Sequence, residues 1–412
     1  MLHEPIPAHH RECHHCGCWH ELDPIEPGMS VSCDRCGSPL IDLKKNWWAN
    51  ATAWLIAAAV FFVLTNSLPF ISLEAAGVRH SAVLLSGVLS LWDSGHPVLA
   101  SLVFLNTFLL PLVELTLLST ALAACKTSAL RSWGRRALRV LRKVRPWNML
   151  EIFLISVLVT SIKLADLAEL VPGPGLLAFA ALVVTLIAAN RLFSSDKCWQ
   201  ILHSASPCSR GHCSCHCCGA AVMAPDEKYC PRCRSATHHR TPQSIQNSLA
   251  LVIAATVLYI PANLLPIMST SSLGREQSDT IWSGVVHLME AGSWPIALVV
   301  FVASLVVPIA KLVIMYYLLW STRPSAPEQG IDQLRKKTHM FRLTELVGRW
   351  SMVDIFVVTL LVTLVQFGLL AEIAPEQGAL AFALVVVLTM LAAESFDARL
   401  IWDRQKPIGD PT

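Results

Sequence analysis

The chain has 412 residues, of which 54% are hydrophobic and 15% charged, with a formal net charge of +3 and a mean hydropathy of +0.52. That composition excludes an ordinary soluble globular protein, and so small a net charge gives no electrostatic footprint for nucleic acid. Fourteen cysteines would mark a disulfide framework in a small secreted protein, but eight of them here fall into four CxxC pairs, the spacing of metal knuckles.

The first 45 residues are polar and rich in His and Cys. No cleavable signal peptide is visible in them, so the first apolar stretch is expected to act as the insertion signal. Within them Cys13-His-His-Cys16 and Cys33-Asp-Arg-Cys36 predict a zinc ribbon in which two knuckles bring four thiolates to one tetrahedral ion. The signature recurs in mid-chain as Cys215-His-Cys-Cys218 and Cys230-Pro-Arg-Cys233. Each set closes the coordination sphere, so the two expected Zn²⁺ ions are structural. Iron in a rubredoxin-like arrangement suits the same thiolates. Gly17, Gly37 and Gly219 follow knuckles, where a tight turn favours positive φ. His14, His15 and His216 lie inside knuckles and are expected to face solvent. Cys18, Cys125, Cys198, Cys208, Cys213 and Cys217 have no assigned role.

Eight stretches reach the roughly 20 apolar residues a membrane span needs: 48–70, 98–123, 149–171, 176–193, 249–268, 296–320, 354–373 and 378–395. The third and fourth are joined through Pro172-Gly-Pro-Gly175 and the seventh and eighth through 374–377. Eight basic residues and no acid lie between Lys126 and Arg145, and six basic residues between Arg323 and Arg349. Segments 72–97 and 269–295 hold one Arg each, Arg79 and Arg275, and no Lys. The positive-inside rule then places both basic loops, both ribbons and both termini in the cytoplasm. The two opposite segments are expected to form short amphipathic elements at the outer interface. Trp47, Trp48, Trp147, Trp350 and Trp402 are expected in the aromatic belt on the cytoplasmic side.

The chain repeats itself. At an offset of 197, Asn66-Ser-Leu-Pro69 falls on Asn263-Leu-Leu-Pro266 and Pro111 on Pro308. At an offset of 203, Trp147-Asn-Met-Leu-Glu151 falls on Trp350-Ser-Met-Val-Asp354. The expected fold is an all-α polytopic membrane protein of eight transmembrane helices in two parallel four-helix repeats, each preceded by a cytoplasmic zinc ribbon of small β structure. Its parts are a ribbon (1–45), a four-helix membrane module (46–197), a second ribbon (198–243), a second four-helix module (244–403) and a short tail (404–412).

Ionisable and hydroxyl side chains inside spans are costly and therefore candidates for a transport path. Lys163 and Asp166 share one face of the third span. Ser304, Lys311, Ser351, Asp354 and Thr389 are placed to form one polar cluster in the second module. Glu114 and Glu151 are the first-module counterparts of Lys311 and Asp354, so the two modules differ in their buried charges. Asn66 and Asn263 precede helix-ending prolines and are read as structural. No P-loop, GxSxG, HExxH or dinucleotide fingerprint is found, so no catalytic residues and no direct use of ATP are expected.

Paired ribbons, the Asn-x-x-Pro ends of the first spans, Gly348-Arg-Trp-Ser-Met-Val-Asp354 and Ser395-Phe-Asp-Ala-Arg-Leu-Ile-Trp-Asp403 resemble the paraquat-inducible protein A family, including its LetA-type members. The resemblance covers nearly the whole chain. It implies a bacterial inner-membrane protein of lipid traffic across the envelope, working with a periplasm-spanning partner built of MCE domains and with phospholipid as cargo. Buried Lys–Asp pairs suggest proton coupling or a polar route for a headgroup. Two alternatives stand beside this reading: a membrane redox protein with rubredoxin-like iron centres, and a scaffold or sensor acting through its ribbons.

Overall fold

The computed structural model describes residues 6, 9–75, 78–93, 95, 97–164, 169–203, 213–222, 229–272, 275–290, 292, 294–323, 330–348, 352–353, 356–357, 359–360 and 372–403. Among them six helices are long and apolar enough to cross a membrane: Trp47–Ser67, Pro97–Lys126, Pro174–Leu192, Ser244–Leu264, Ala297–Ser321 and Gln377–Ser395. They coincide with the expected first, second, fourth, fifth, sixth and eighth spans, and the chain is a mostly helical, multi-pass membrane protein. The third expected span begins as the helix Leu150–Leu164, with residues 165–168 outside the described part. The seventh, 354–373, also lies almost wholly outside it.

The first and last helices of each half lie side by side, Trp47–Ser67 against Pro174–Leu192 and Ser244–Leu264 against Gln377–Ser395. Lipid tails are as apolar as leucine, so close backbone approach and hydrogen bonds have to hold such pairs. Ala51, Ala58 and Ala189 are buried in the first pair, Ala255, Ala262 and Ala392 in the second. Ser244 and Ser248 donate across the second pair to the Ser395 and Ala392 carbonyls at 2.8 and 3.0 Å.

The second helix of each half carries a π-helical segment, Leu105–Leu109 in one and Val302–Val306 in the other. Pro111 and Pro308 follow directly. Proline has no N–H for the carbonyl four residues earlier, so the α ladder is interrupted there and a wider turn absorbs the break.

The segments opposite the ribbons differ from the expectation. Each does contain a short apolar helix, Leu84–Asp93 and Ile281–Glu290, but a β-hairpin precedes it. Strands β5 (Ile71–Ala75) and β6 (Val78–Ala82) pair antiparallel, and β7 (Glu169–Pro172), from the linker before the last span of that half, joins the other side of β5. In the second half β10 (Met268–Ser272), β11 (Arg275–Asp279) and β12 (Glu372–Pro375) repeat the order. Met-Ser-Thr-Ser-Ser and Arg-Glu-Gln-Ser-Asp lack the apolar alternation that marks a strand, and Ile-Ser-Leu-Glu-Ala of β5 carries it over only five residues.

The two halves touch where the counterparts Phe153 and Phe356 meet. The Phe153 and Phe356 rings pack edge to face at 5.6 Å, and the Ser156 hydroxyl donates to the Val353 carbonyl at 3.1 Å. Trp47 and Trp402 depart from the interfacial belt expected for them. Both are buried, Trp47 edge-on to Phe193 and Trp402 with its N–H on the Thr338 hydroxyl at 2.8 Å.

Gly175 and Gly378 begin the last helix of each half beneath the end of the first. A Cβ on Gly175 would lie 2.8 Å from the Leu68 and Pro69 carbonyl oxygens, and one on Gly378 would lie 2.5 Å from that of Pro266. Each Ala substitution drives a methyl into fixed backbone, which costs on the order of 1–3 kcal/mol. Gly175→Ala and Gly378→Ala should each lower the melting temperature of the purified protein, while Gly284→Ala, with nothing within 4 Å of its Cβ, should leave it unchanged.

Candidate metal centres and buried polar clusters

All four knuckles are the same turn. The amide four residues after the first cysteine donates to that cysteine's carbonyl: Gly17 to Cys13, Gly37 to Cys33, Gly219 to Cys215 and Arg234 to Cys230. The turn needs positive φ at its end, which glycine supplies at three sites. Arg234 adopts φ 59° at the fourth, an uncommon conformation for a residue with a side chain.

The knuckles bring Cys13, Cys16, Cys33 and Cys36 into one group and Cys215, Cys218, Cys230 and Cys233 into another, the sulfurs of each lying within 4.8 Å of one another. Pairs across each group are 3.4–3.6 Å apart. Four thiolates at ~2.3 Å from a tetrahedral zinc ion stand ~3.8 Å from each other, so both groups fit a metal ion with little adjustment. His20 Nε2 lies 3.1 Å from the Cys33 sulfur, a second-sphere contact that the spacing rules do not show.

The ribbons are not independent headers. Strands β1 (His9–Glu12) and β2 (Trp19–Leu22) belong to the first ribbon, β8 (Cys213–Ser214) and β9 (Ala221–Val222) to the second, and β1 packs on both β8 and β9. Glu12, at the end of β1, is buried at the junction. One of its oxygens accepts from Arg399 at 3.2 Å and Arg240 at 3.3 Å, the other from the Ser214 amide at 2.9 Å. Arg399 also grips Asp397 and lies 2.7 Å from His216 Nε2, and Arg240 forks onto Asp403. The closing segment of the chain is thus clamped to both ribbons. Burial alone would raise the Asp397 carboxyl, but the Arg399 hydrogen bonds and charge outweigh it and hold the pKa down at about 2.

His14 and His216 correct the solvent-facing expectation. Their rings face each other across the ribbon interface, centroids 6.0 Å apart. Burial, reinforced by nearby arginines, keeps both neutral, pushing His216 down to about 4 and His14 well below the usual range. The packing of ribbon on ribbon, which no local spacing encodes, leaves both half-buried.

Deeper in, the two halves carry unlike buried charges at equivalent places. Glu114 is 1% exposed. It accepts from Asn148 and from Asn190 at 2.8 Å, with Arg145 at 3.7 Å. Lys311 is 3% exposed and reaches the Thr389 hydroxyl at 2.9 Å and the Gly348 carbonyl at 3.3 Å. Gly348 ends the helix Ile331–Gly348, so the ammonium caps the negative end of a helix dipole. No carboxylate pairs with Lys311 among the described residues. Ser304 is buried seven residues earlier, but its hydroxyl donates to the Val300 carbonyl of its own helix. Thr389 and Lys311 are therefore brought together, and Ser304 lies in the π turn on the same helix. Glu151 opens the helix Leu150–Leu164 beside Glu114, lining the same cavity. Ser351, Asp354, Asp166 and the Lys163 side chain lie outside the described residues.

Among the cysteines without a role, Cys125 and Cys198 face each other with sulfurs 3.0 Å apart, where the helix Ser195–Leu202 packs on the end of the second span. Nothing in the spacing of those two residues, 73 apart, signals the contact.

Four thiolates that close a coordination sphere stabilise a fold that such small domains do not keep without metal. Elemental analysis of the purified chain should find two metal ions, and Cys230→Ser should reduce this to one and lower the steady-state amount of protein. Full abundance with a selective loss of activity would show instead that the metal takes part in a chemical step.

Residues 48–203 and again 245–406 match the family model described as Paraquat-inducible protein A. The chain is 34% identical over 415 residues to the Escherichia coli (strain K12) protein named Intermembrane transport protein PqiA, covering 97% of this chain and 96% of that one. It is 29% identical to the Lipophilic envelope-spanning tunnel protein A of the same organism, over 96% of this chain and 91% of the relative. A Probable intermembrane transport protein of Haemophilus influenzae is 29% identical over 93% of each. No solved structure matches. With both halves matched and the similarity running the length of the chain, this protein belongs to the paraquat-inducible protein A family.

Proposed function

We propose that this chain is the inner-membrane component of a bacterial envelope lipid-transport system. It moves lipid between that membrane and a periplasm-spanning partner bearing MCE domains, and its two structural ions are zinc. The names of its relatives, intermembrane transport protein and envelope-spanning tunnel protein, support the transport reading. The observation that carries it is Lys311. A cation buried near the middle of a span costs several kcal/mol unless it is paired or used. Here its described partners are a hydroxyl and a helix-end carbonyl, neutral groups that leave the charge free to attract an anion. A headgroup phosphate, or a carboxylate such as Asp354 that gives up and regains a proton, fits that vacancy in charge. The sequence contains no P-loop, so on this reading a proton gradient supplies the energy.

A buried ion pair adds little stability, because desolvation offsets most of the Coulomb gain. If Lys311 and Asp354 served only as packing, replacing both by Met and Leu would leave transport intact. Under the proposal Lys311→Met alone and Asp354→Asn alone each abolish lipid transfer in a reconstituted assay, and the double apolar replacement does not rescue it. Both single variants still insert and co-purify with the MCE partner. An active double variant sinks the assignment of these residues.

The same proposal places the ribbons, both termini and the basic stretch from Lys126 to Arg145 in the cytoplasm, on the distribution of Lys and Arg. In a chain without other reactive thiols, a membrane-impermeant maleimide should label Gly77→Cys in cells whose outer membrane is opened. Labelling only after the inner membrane is breached would reverse the orientation.

A further inference from the structure

A cavity of about 720 Å³ lies between the ribbon pair and the ribbon-side ends of the first-half helices Leu150–Leu164 and Pro174–Leu192. Its volume falls within the range of small-molecule sites. One wall is the helix Arg131–Val144, which buries Gly134, Ala137, Leu138 and Leu141 on one face and turns arginines outward on the other, the pattern of a helix lying at headgroup level.

Four arginines line this cavity, Arg11, Arg142, Arg145 and Arg191, against three carboxylates, Glu114, Glu151 and Asp196. Asp196 is already held by Arg11 at 2.9 Å. Glu114 is already held by two amides and Arg145. Arg142 and Arg191 have no hydrogen bond or ion pair among the described residues. The lining also leaves buried atoms unmatched: Arg11 Nε, His14 Nδ1 and Asn148 Oδ1 have no hydrogen-bond partner, while Arg145 Nε faces Glu114 at 3.7 Å. Buried polar atoms without partners are uncommon, and each requires an explanation. Here donors outnumber acceptors and sit among guanidinium groups, the residue chemistry that recognises phosphate oxygens.

The geometry points to a phosphate-binding site in this cavity. Phosphate oxygens accept from the Arg11 Nε–H group and from the exposed Arg142 and Arg191 guanidinium groups, while Asn148 Oδ1 accepts from a hydroxyl of the same ligand. An anionic phospholipid headgroup and free phosphate both present that chemistry. The site lies in the other half from Lys311 and stands whether or not the chain moves lipid, so it is tested by binding alone.

The full-length chain is purified in a mild detergent with its metal content confirmed. Phosphatidylglycerol and phosphatidylcholine are then offered in equal amounts, and retained lipid is read by native mass spectrometry. Each charge-assisted hydrogen bond contributes enough for about a tenfold change in affinity. Phosphatidylglycerol should therefore be retained at least about tenfold over phosphatidylcholine, and Arg142→Gln with Arg191→Gln should abolish the preference. Both arginines are exposed, so the double variant should keep its metal and elution volume. Displacement of the lipid by millimolar inorganic phosphate, with a rise in melting temperature, identifies the soluble anion as the ligand. Preference without displacement identifies the headgroup. A wild-type chain that shows neither lipid preference nor phosphate-dependent stabilisation overturns the site, as does a double variant that keeps the preference. The wild-type measurements decide the matter even if the double variant fails to fold.

Discussion

The structure depends on one buried carboxylate. Glu12 and Arg399 are 387 residues apart, and their side chains are 3% and 0% exposed. Each was taken out of water on the condition that the other be present, and removing one partner of such a pair costs roughly 3–5 kcal/mol. Because Glu12 also accepts from the Ser214 amide and Arg240, the same condition ties together the first ribbon, the second ribbon and the end of the last membrane helix.

A second connection runs from the first ribbon into the membrane block. The carbonyls of Asp34 and Arg35, inside a knuckle, accept from Arg335. Arg35 also lies over the Trp402 ring at 4.6 Å, and Trp402 bonds Thr338. Arg335 and Thr338 belong to the helix whose last carbonyl, that of Gly348, receives Lys311. One helix thus carries ribbon contacts at one end and the buried ammonium at the other.

What the sequence made legible follows the range of the forces involved. Knuckles are set within four residues, and spans by composition over about twenty, so the eight knuckle cysteines gather into two groups of four and the six described spans stand where they are expected. The π turns had a local signal in Pro111 and Pro308 that was read only as a repeat marker. Glu12 showed nothing, since its partners lie far along the chain and an acid beside a zinc knuckle looks like a solvated charge. His14 and His216 were misplaced for the same reason: only the docking of one ribbon on the other decides their surroundings. The three-stranded sheets escaped because the strands of the second carry no apolar alternation and the one alternating strand of the first, Ile71–Ala75, is only five residues long.

Those sheets set which parts of the first half can move. β5 continues directly from the helix Trp47–Ser67, and β7 lies between the helices Leu150–Leu164 and Pro174–Leu192. Three helices therefore share one hydrogen-bonded ladder at that end, and sliding any of them lengthwise against the others would shear its rungs. The helix Pro97–Lys126 enters instead from Leu84–Asp93, with no strand of its own beyond β6, and among the described residues of this half it alone contains a π turn. The half is mechanically a stapled tripod with one unstapled leg. A displacement of that leg leaves the ladder intact, and what ties it to the other legs is instead its buried Glu114, which accepts from Asn148 and Asn190.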